Sequence, residues 1–184
     1  MKETATQILD AAEAMMRDGG YHAFSFREIA TKLSIKSASV HYHFTTKEAL
    51  GNAVTQRYTN NFLAALGEPQ THSDPIDHYI DHYIALFRQS LEADGRPCLC
   101  GILASESGRL PESMRDTLKE FNSKNLTWLE GSLSNRQDWT NHHRQEMAHI
   151  AFSALEGAMI FASLNQEAGH MVRVGDRLKT LLAA

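Results

Sequence analysis

Apolar residues recur every three or four positions along most of this chain, and that period decides what it can fold into. A stripe repeating at 3.6 residues covers one side of an α-helix, whereas a half-buried strand needs strict alternation. Long stretches of the first pattern are present and very little of the second. Only four prolines interrupt 184 residues. The pattern predicts an all-α protein, and 184 residues are enough for one domain or two small ones.

Punctuation divides the first fifty residues into short helices. The first runs from about Lys2 to Asp18, with Ile8, Ala12, Met15 and Met16 on one stripe, and Gly19-Gly20 stops it. "YHAFS" connects to a second helix, "FREIATKL", for which Ser25 is a suitable N-cap. Phe26, Ile29, Ala30 and Leu33 share a face there. A third helix, about Ser37 to Phe44, turns Val40 and Phe44 inward and leaves Ser37, Ser39, His41 and His43 largely outward. Ala30 leaves room for it to cross closely over the second helix. Three short helices with a tight turn before the last are what a helix-turn-helix requires. Thr46 should cap a long fourth helix, "KEALGNAVTQRYTNNFLAAL", whose Leu50, Val54, Tyr58 and Leu66 could tie the first three to the rest of the chain. After the linker "GEPQTHSDP", helices are expected over 75–94, 97–108, 111–134, 140–167 and 169–183. The domain division expected is a helix-turn-helix domain over 1–47 and a helical remainder over 48–184, with 48–67 as connector.

Charge follows this division. The net charge is −4, which argues against a protein that coats nucleic acid over its whole surface. Residues 1–58 carry +1 and residues 59–184 carry −5, while residues 25–47 hold four bases (Arg27, Lys32, Lys36, Lys47) against the single acid Glu28. Positive charge therefore gathers around "IKSASVHYHFTTKEAL". Small residues at the start of the third helix, Ser37, Ala38 and Ser39, would let it approach base edges in a major groove about 12 Å wide. Its N-terminal dipole and free amides suit phosphate.

The stretch "ILDAAEAMMRDGGYHAFSFREIATKLSIKSASVHYHFTTKEAL" resembles the DNA-binding domain of the TetR family of bacterial transcriptional regulators, over about Ala5 to Tyr58. An opening amphipathic helix ending at glycine, a "SFREIA" second helix, a "SVHYHF" recognition helix and "TKEAL" all stand in register. The resemblance implies an all-α dimer with a ligand-sensing C-terminal domain, acting on a pseudo-palindromic double-stranded DNA operator, and it carries no cofactor. By position in the motif, Tyr42, His43 and Lys47 look like phosphate contacts, with Ser25 and Arg27 further candidates, and Ser37, Ser39 and His41 the base-reading ones. The family often has Tyr at the place of His41, which could lend binding a pH dependence. Effector binding would change the separation of the two heads, through the fourth helix.

The remainder of the chain offers three further expectations. In "MAHIAFSALEGAMIFASL", Ala151, Ala154, Ala158 and Ala162 form a small-residue row flanked by Met147, Ile150, Leu155, Met159 and Phe161. The final helix adds Met171, Val174, Leu178, Leu181 and Leu182. So much apolar surface on two helices is either monomer core or a two-fold interface, and the resemblance favours a homodimer through these two. Tyr79, Tyr83, Phe87, Leu103, Met114, Phe121 and Trp128 are either plain core or the lining of a pocket for a small-molecule effector of unknown identity.

In "GRPCLCGILASES", Pro97 suits a first helical position, placing Cys98 and Cys100 in the first turn. There the dipole and Arg96 would favour thiolate. This makes the two cysteines candidate sensors of oxidants or electrophiles, against the plainer reading of small buried residues. Two positions apart on a helix, they do not face each other.

A metal-binding sensor or helical metalloenzyme is the rival reading, from the His78/His82 pair beside Asp77 and Asp81 and from His142, His143 and His149. Its third ligand is not placed, and there is no glycine-rich phosphate loop or nucleophile elbow, so no enzyme and no bound metal are expected. No stretch approaches the roughly 20 apolar residues of a membrane span. With no secretory pattern in "MKETATQILDAAEAMM" and two cysteines that make no disulfide framework, the cytoplasm is the expected compartment.

Overall fold

The computed structural model describes residues 2–68 and 76–183, and the described residues form helices and turns with no strand. The helices are α1 (Lys2–Gly19), α2 (Phe26–Lys32), α3 (Ser37–His43), α4 (Lys47–Leu66), α5 (Ile76–Asp94), α6 (Leu99–Ser105), α7 (Glu112–Ser132), α8 (Asn141–Asn165) and α9 (Gly169–Ala183). Most of the expected linker, Pro69 to Pro75, lies outside the described residues. The chain packs into two compact units, residues 1–61 with 99–120, and residues 62–98 with 121–184.

In the first unit, α1, α2 and α3 pack on one another, and α6 packs on α1. Each start and stop has a local cause. Gly20 ends α1 at a φ of 80°, a conformation that costs glycine little. The connector after it is a 3-10 turn, Tyr21–Ala23, with Tyr21 and Phe24 buried. The Ser25 hydroxyl accepts from the Glu28 amide at 3.2 Å and so caps α2. Ser34, at a φ of 55°, makes the turn between α2 and α3. The Thr46 hydroxyl accepts from the Ala49 amide at 3.0 Å and caps α4. Beneath these, Ile8, Ala12, Met16, Ile29, Val40, Leu50 and Val54 are buried. Met15 and Phe44, expected inside, are half-buried.

On α4, Arg57 binds Asp10 and Glu13 of α1, each at 2.7 Å. At Gly51 the helix comes so near that an added Cβ would sit 2.7 Å from the Tyr21 ring and 3.1 Å from Met114 Sδ.

In the second unit, α8 pairs with α9, and both pack on α5. At Gly175 of α9 a Cβ would lie 2.9 Å from Ile84 of α5, so glycine sets how close these two helices come. The alanine row takes the first of its two expected places. Ala151, Ala158 and Ala162 are buried within the chain, in one stripe with Ala148, Leu155 and Met159; they are core, because α8 and α9 of the same chain already use that side.

One correction concerns length and apolarity. Helix α8 is long and apolar enough to cross a membrane by length and composition. Ala, Gly and Ser fill the gaps between its larger residues, and Glu156 is the only charge from Met147 to Leu164.

Two expected boundaries also move. Helix α6 begins at Leu99, so Pro97 and Cys98 precede it, and the segment after it becomes a 3-10 turn at Ser107–Arg109. Helix α7 likewise ends in a 3-10 turn, Leu133–Asn135.

Leu50 is wholly buried on α4, so Leu50→Ala should lower the unfolding free energy by about 2–5 kcal/mol. Denaturant titration followed by circular dichroism measures this, and a loss under about 1 kcal/mol would contradict the packing described.

Candidate nucleic-acid interface and ligand site

Helix α3 has seven residues, of which Val40 is fully buried. Everything else on it is exposed or half-exposed, including Ser37, Ser39, His41 and His43. Tyr42 is 71% exposed, so its ring is not packed against α1. It meets the edge of His43 at 5.1 Å. The exposed His41 leans on Phe26 of α2, ring to ring at 4.6 Å, which fixes its orientation from the neighbouring helix. Arg27, Lys32 and Lys36 are exposed around this face. A shallow surface groove runs between Thr4, Lys36, Ala38, Ser39, Tyr42 and His43. Thr4 was not legible as part of this face, because only the packing of α1 on α3 brings it there. Lys36 reads in the sequence as general solvated charge.

Two candidate contacts have other duties. The Ser25 hydroxyl is the cap of α2. Lys47 turns inward: its ammonium donates to the Phe24 carbonyl at 2.6 Å and lies 4.6 Å from the Phe24 ring centre and 5.1 Å from that of Tyr21. Burial lowers its pKa, against the pull of Glu28 and Glu106. Lys47 thus staples the connector before α2 to the start of α4. Glu106 adds to the same junction by accepting from the Tyr21 backbone amide.

Of the seven residues expected to line an effector pocket, Leu103 and Met114 belong to the first unit. Tyr79, Tyr83, Phe87, Phe121 and Trp128 come together in the second. Tyr83 stacks on Trp128 at 5.4 Å and 18°, and tilts against Phe87 at 5.2 Å. Tyr79 meets the Trp128 edge at 6.3 Å. Phe62, half-buried and not singled out in the sequence, bridges Phe87 and Phe121 at 5.4 and 5.2 Å. The Tyr83 hydroxyl donates to Asn125 Oδ1 at 2.8 Å, and Asn125 donates on to the Phe121 carbonyl at 2.8 Å. Leu63, Leu66, Gly67, Glu68, Lys124, Thr127 and Trp128 line an open cavity of about 320 Å³ in the same unit.

Glu156 of α8 stands in this interior. Both of its carboxyl oxygens are buried and neither has a hydrogen-bond partner. Burial raises its pKa well above the ordinary value, and its coupling to the neighbouring Cys98 raises it further. Tyr83 is likewise raised well above its usual range by burial, then by Glu156 and Cys98.

This surrounding corrects the expectation of a thiolate at Cys98. The thiol faces a carboxyl group, while the Arg96 guanidinium pairs with Asp94 at 3.2 Å. Cys98 is 2% exposed and Cys100 3%, and neither is in a disulfide; Cys100 lies 3.8 Å from the Thr59 hydroxyl. Among the described residues no three His, Cys, Asp or Glu groups are placed to hold a metal. His82 points instead at the Ala65 and Leu66 carbonyls at the end of α4, 3.2 and 3.3 Å away. His142 and His143 lie near Glu146, at 3.4 and 3.6 Å.

One side of α8, with α9 beside it, is apolar and uncovered within the chain. On α8 it carries Ile150, Ile160, Phe161 and Leu164, while the exposed Val172 and Leu181 stand on opposite flanks of α9. Gly157 lies on it with open space where a Cβ would stand.

A short helix-turn-helix with an exposed aromatic-basic face, followed by helices that enclose an aromatic interior, defines a class of helical regulator. The model of the "Bacterial regulatory proteins, tetR family" matches residues 8–54. A TetR transcriptional regulator from Legionella pneumophila is 32% identical in solved structure, with 95% of each chain covered and a TM-score of 0.85. The chain belongs to the TetR family. The regulator UidR of Escherichia coli is 28% identical over 109 residues, which are 59% of this chain and 54% of that protein, so the match spans about half the length of that curated relative. IcaR of Staphylococcus epidermidis, a negative transcriptional regulator of a biofilm operon, is 24% identical over 175 residues, 94% of this chain and 91% of that protein.

The raised Glu156 carboxyl has a consequence for stability. Below the ordinary carboxyl value of 4.5 it is protonated in both states and contributes no pH dependence. Above 4.5 the unfolded chain releases this proton first, so the native state binds more protons and stability falls with rising pH. Glu156→Gln should therefore melt higher than the wild type at pH 7–8, with the gap closing towards pH 4, by thermal unfolding across that range. A gap of the opposite sign, or one independent of pH, would contradict a neutral buried carboxyl.

Proposed function

We propose that this TetR-family chain is a sequence-specific DNA-binding transcriptional regulator, a homodimeric repressor that a small-molecule effector releases from its operator. It works in the cytoplasm, as a binding protein and not an enzyme. Residues 1–47 are its DNA-reading part and residues 48–184 its effector-binding and dimerisation part. The observation that carries this reading is the exposed face of α3. A tyrosine 71% exposed, set among histidines and surface bases on a helix whose opposite side is buried, leaves this face open to a partner. Duplex DNA supplies that partner: phosphates for Arg27, Lys36, Tyr42 and His43, and base edges for Ser37, Ser39 and His41. We assign Lys47 and Ser25 to holding the reader in shape. Repression follows the naming of the staphylococcal relative as a negative regulator.

Two copies are needed for a single short helix to specify a site, since paired helices read half-sites about one DNA turn, or a multiple of it, apart. The uncovered apolar face of α8, with α9 beside it, is the surface assigned to that pairing, with Gly157 where the helices cross. We assign release to an effector held in the second unit and not to thiol chemistry, because both cysteines are buried and Cys98 faces a carboxyl group.

Fluorescence anisotropy with DNA flanking the chain's own gene, titrated with salt, tests the DNA reading. Tyr42→Ala should cost about 1.5–3 kcal/mol on every sequence alike, as loss of a hydrogen bond to a charged phosphate would. Arg27→Ala should flatten the salt slope by about one unit. Unchanged binding in both variants would remove α3 and its surroundings from the interface.

Sedimentation tests the pairing. The wild type should run as a dimer, and Phe161→Asp, which puts a charge on a residue 54% exposed in the single chain, should run as a folded monomer. A wild-type monomer, or a Phe161→Asp dimer of unchanged affinity, would contradict the assigned surface.

A further inference from the structure

Helix α3 packs on α2, and α2 starts from the connector Tyr21–Phe24, so whatever holds that connector holds the reading helix. The connector is held at both ends. At its far end the Phe24 carbonyl accepts from Lys47. At its near end the Tyr21 backbone amide donates to the Glu106 carboxylate, 85 residues away in sequence. No side chain of Gly20 or its turn caps this amide, so the cap comes from the segment after α6. The approach is built into the backbone. A Cβ on Gly20 would lie 2.5 Å from Glu106 Oε1 and 2.8 Å from its Cδ, and Gly20 stands at a φ of 80°. Glycine therefore serves both the turn and the close passage of the carboxylate. Glu106 is itself fixed. Its amide donates to the Leu103 carbonyl at 3.1 Å, and its carbonyl accepts from the Arg109 amide at 2.9 Å. Leu103 and Leu110 are buried on either side of it. With Glu28, it also favours the charged form of Lys47, so one acid acts on both ends of the connector.

From this geometry we propose that Glu106 is a positioning residue for DNA reading, which fixes the placement of α2 and α3 by holding the Tyr21 amide. The assignment rests on the reading of α3 as the DNA contact. Glu106 lies outside residues 1–47 and acts through the connector, since a carboxylate is repelled by phosphate and cannot itself be a backbone contact. A bond from an N–H to an ionised carboxylate is about twice as strong as a neutral one, so its loss is felt. Displacing Glu106 frees the near end of the connector while Lys47 keeps the far end. The segment from α6 to the start of α7 thereby has a direct hold on the reader. The sign of the effect separates this role from bulk charge. Removing an acid near a DNA-binding face strengthens binding by electrostatics alone, whereas removing a positioning residue weakens it.

Full-length Glu106→Ala, Glu106→Asp and Glu106→Gln proteins are titrated against the duplex that the wild type selects from a random pool. The active fraction of each is counted by stoichiometric titration, well below its melting transition. Glu106→Ala should bind about tenfold or more weakly at full active fraction, as loss of a hydrogen bond to a charged group would give. Its salt slope should equal that of the wild type, because no phosphate contact is lost. Glu106→Asp, a methylene too short to reach, should fall with it. Glu106→Gln keeps an oxygen that accepts from the Tyr21 amide, so its affinity should lie closer to the wild type than to Glu106→Ala. Hydrogen exchange reads the contact itself: the Tyr21 amide should be protected in the wild type and Glu106→Gln, and exchange quickly in Glu106→Ala. If Glu106→Ala does not fold, Glu106→Asp carries the same comparison against Glu106→Gln. Unchanged or tighter binding by Glu106→Ala, a loss that only tracks a smaller active fraction, or a Glu106→Gln as weak as Glu106→Ala would overturn the proposal. A wild type that selects no duplex ends the regulator reading and this assignment with it, whereas a wild type that binds beside an unaffected Glu106→Ala ends the assignment alone.

Discussion

A seven-residue helix is not stable alone. Isolated helices shorter than about 12–15 residues are marginal in water, yet α3 must hold a fixed orientation while most of its surface faces solvent. Val40, fully buried, is its single inward anchor. The rest of the restraint comes from neighbours. Helix α2 packs across it, and Phe26 supports the ring of His41. Lys47 ties the start of α4 back to the Phe24 carbonyl, and Thr46 caps that helix. The exposed face can be given over to a partner because the opposite face is so fully committed.

The second unit is built on a different compromise. Its aromatic interior is closely packed, and Asn125 and Tyr83 satisfy each other inside it. Glu156 does not share in that satisfaction. A carboxyl kept without partners lowers stability at neutral pH, and proteins tolerate such losses where a site needs them. The alanine row of α8 is spent on packing within the chain, which turns Ile150, Ile160, Phe161 and Leu164 outward. One helix therefore has a buried stripe, an uncovered apolar stripe and an interior acid. This explains why it reads in the sequence as apolar almost all round.

What the sequence made legible was local. The all-α class followed from the 3.6-residue period, and the caps at Ser25 and Thr46 and the inward Val40 followed from residue type and spacing alone. Site geometry was legible only where it depends on one helix: the outward set Ser37, Ser39, His41 and His43 is exposed or half-exposed on α3, as its period requires. What depended on distant partners was hidden. Lys47 at a helix start reads as a phosphate contact, and its true acceptor, the Phe24 carbonyl, is 23 residues away. Thr4 joins the α3 groove only through packing of α1. Leu103 and Met114 share the composition of a pocket lining with Tyr83 and Trp128, and composition cannot divide them between units. Cys98 beside Arg96 suggests a thiolate, whereas the fold brings Glu156 to it from 58 residues further along and gives Arg96 to Asp94. Glu156 itself, one acid in a helical run, gave no sign of being interior.

The central claim is that the exposed face of α3, presented twice, reads duplex DNA. Selection from a random-sequence duplex pool with purified protein tests it most directly, because it assumes no operator. The account predicts enrichment of a two-fold symmetric sequence, with half-sites about one helical turn or a multiple of it apart, and loss of preference at defined positions within each half-site in Ser39→Ala and His41→Ala proteins. Enrichment of no sequence, or of one indifferent to both substitutions, would contradict it.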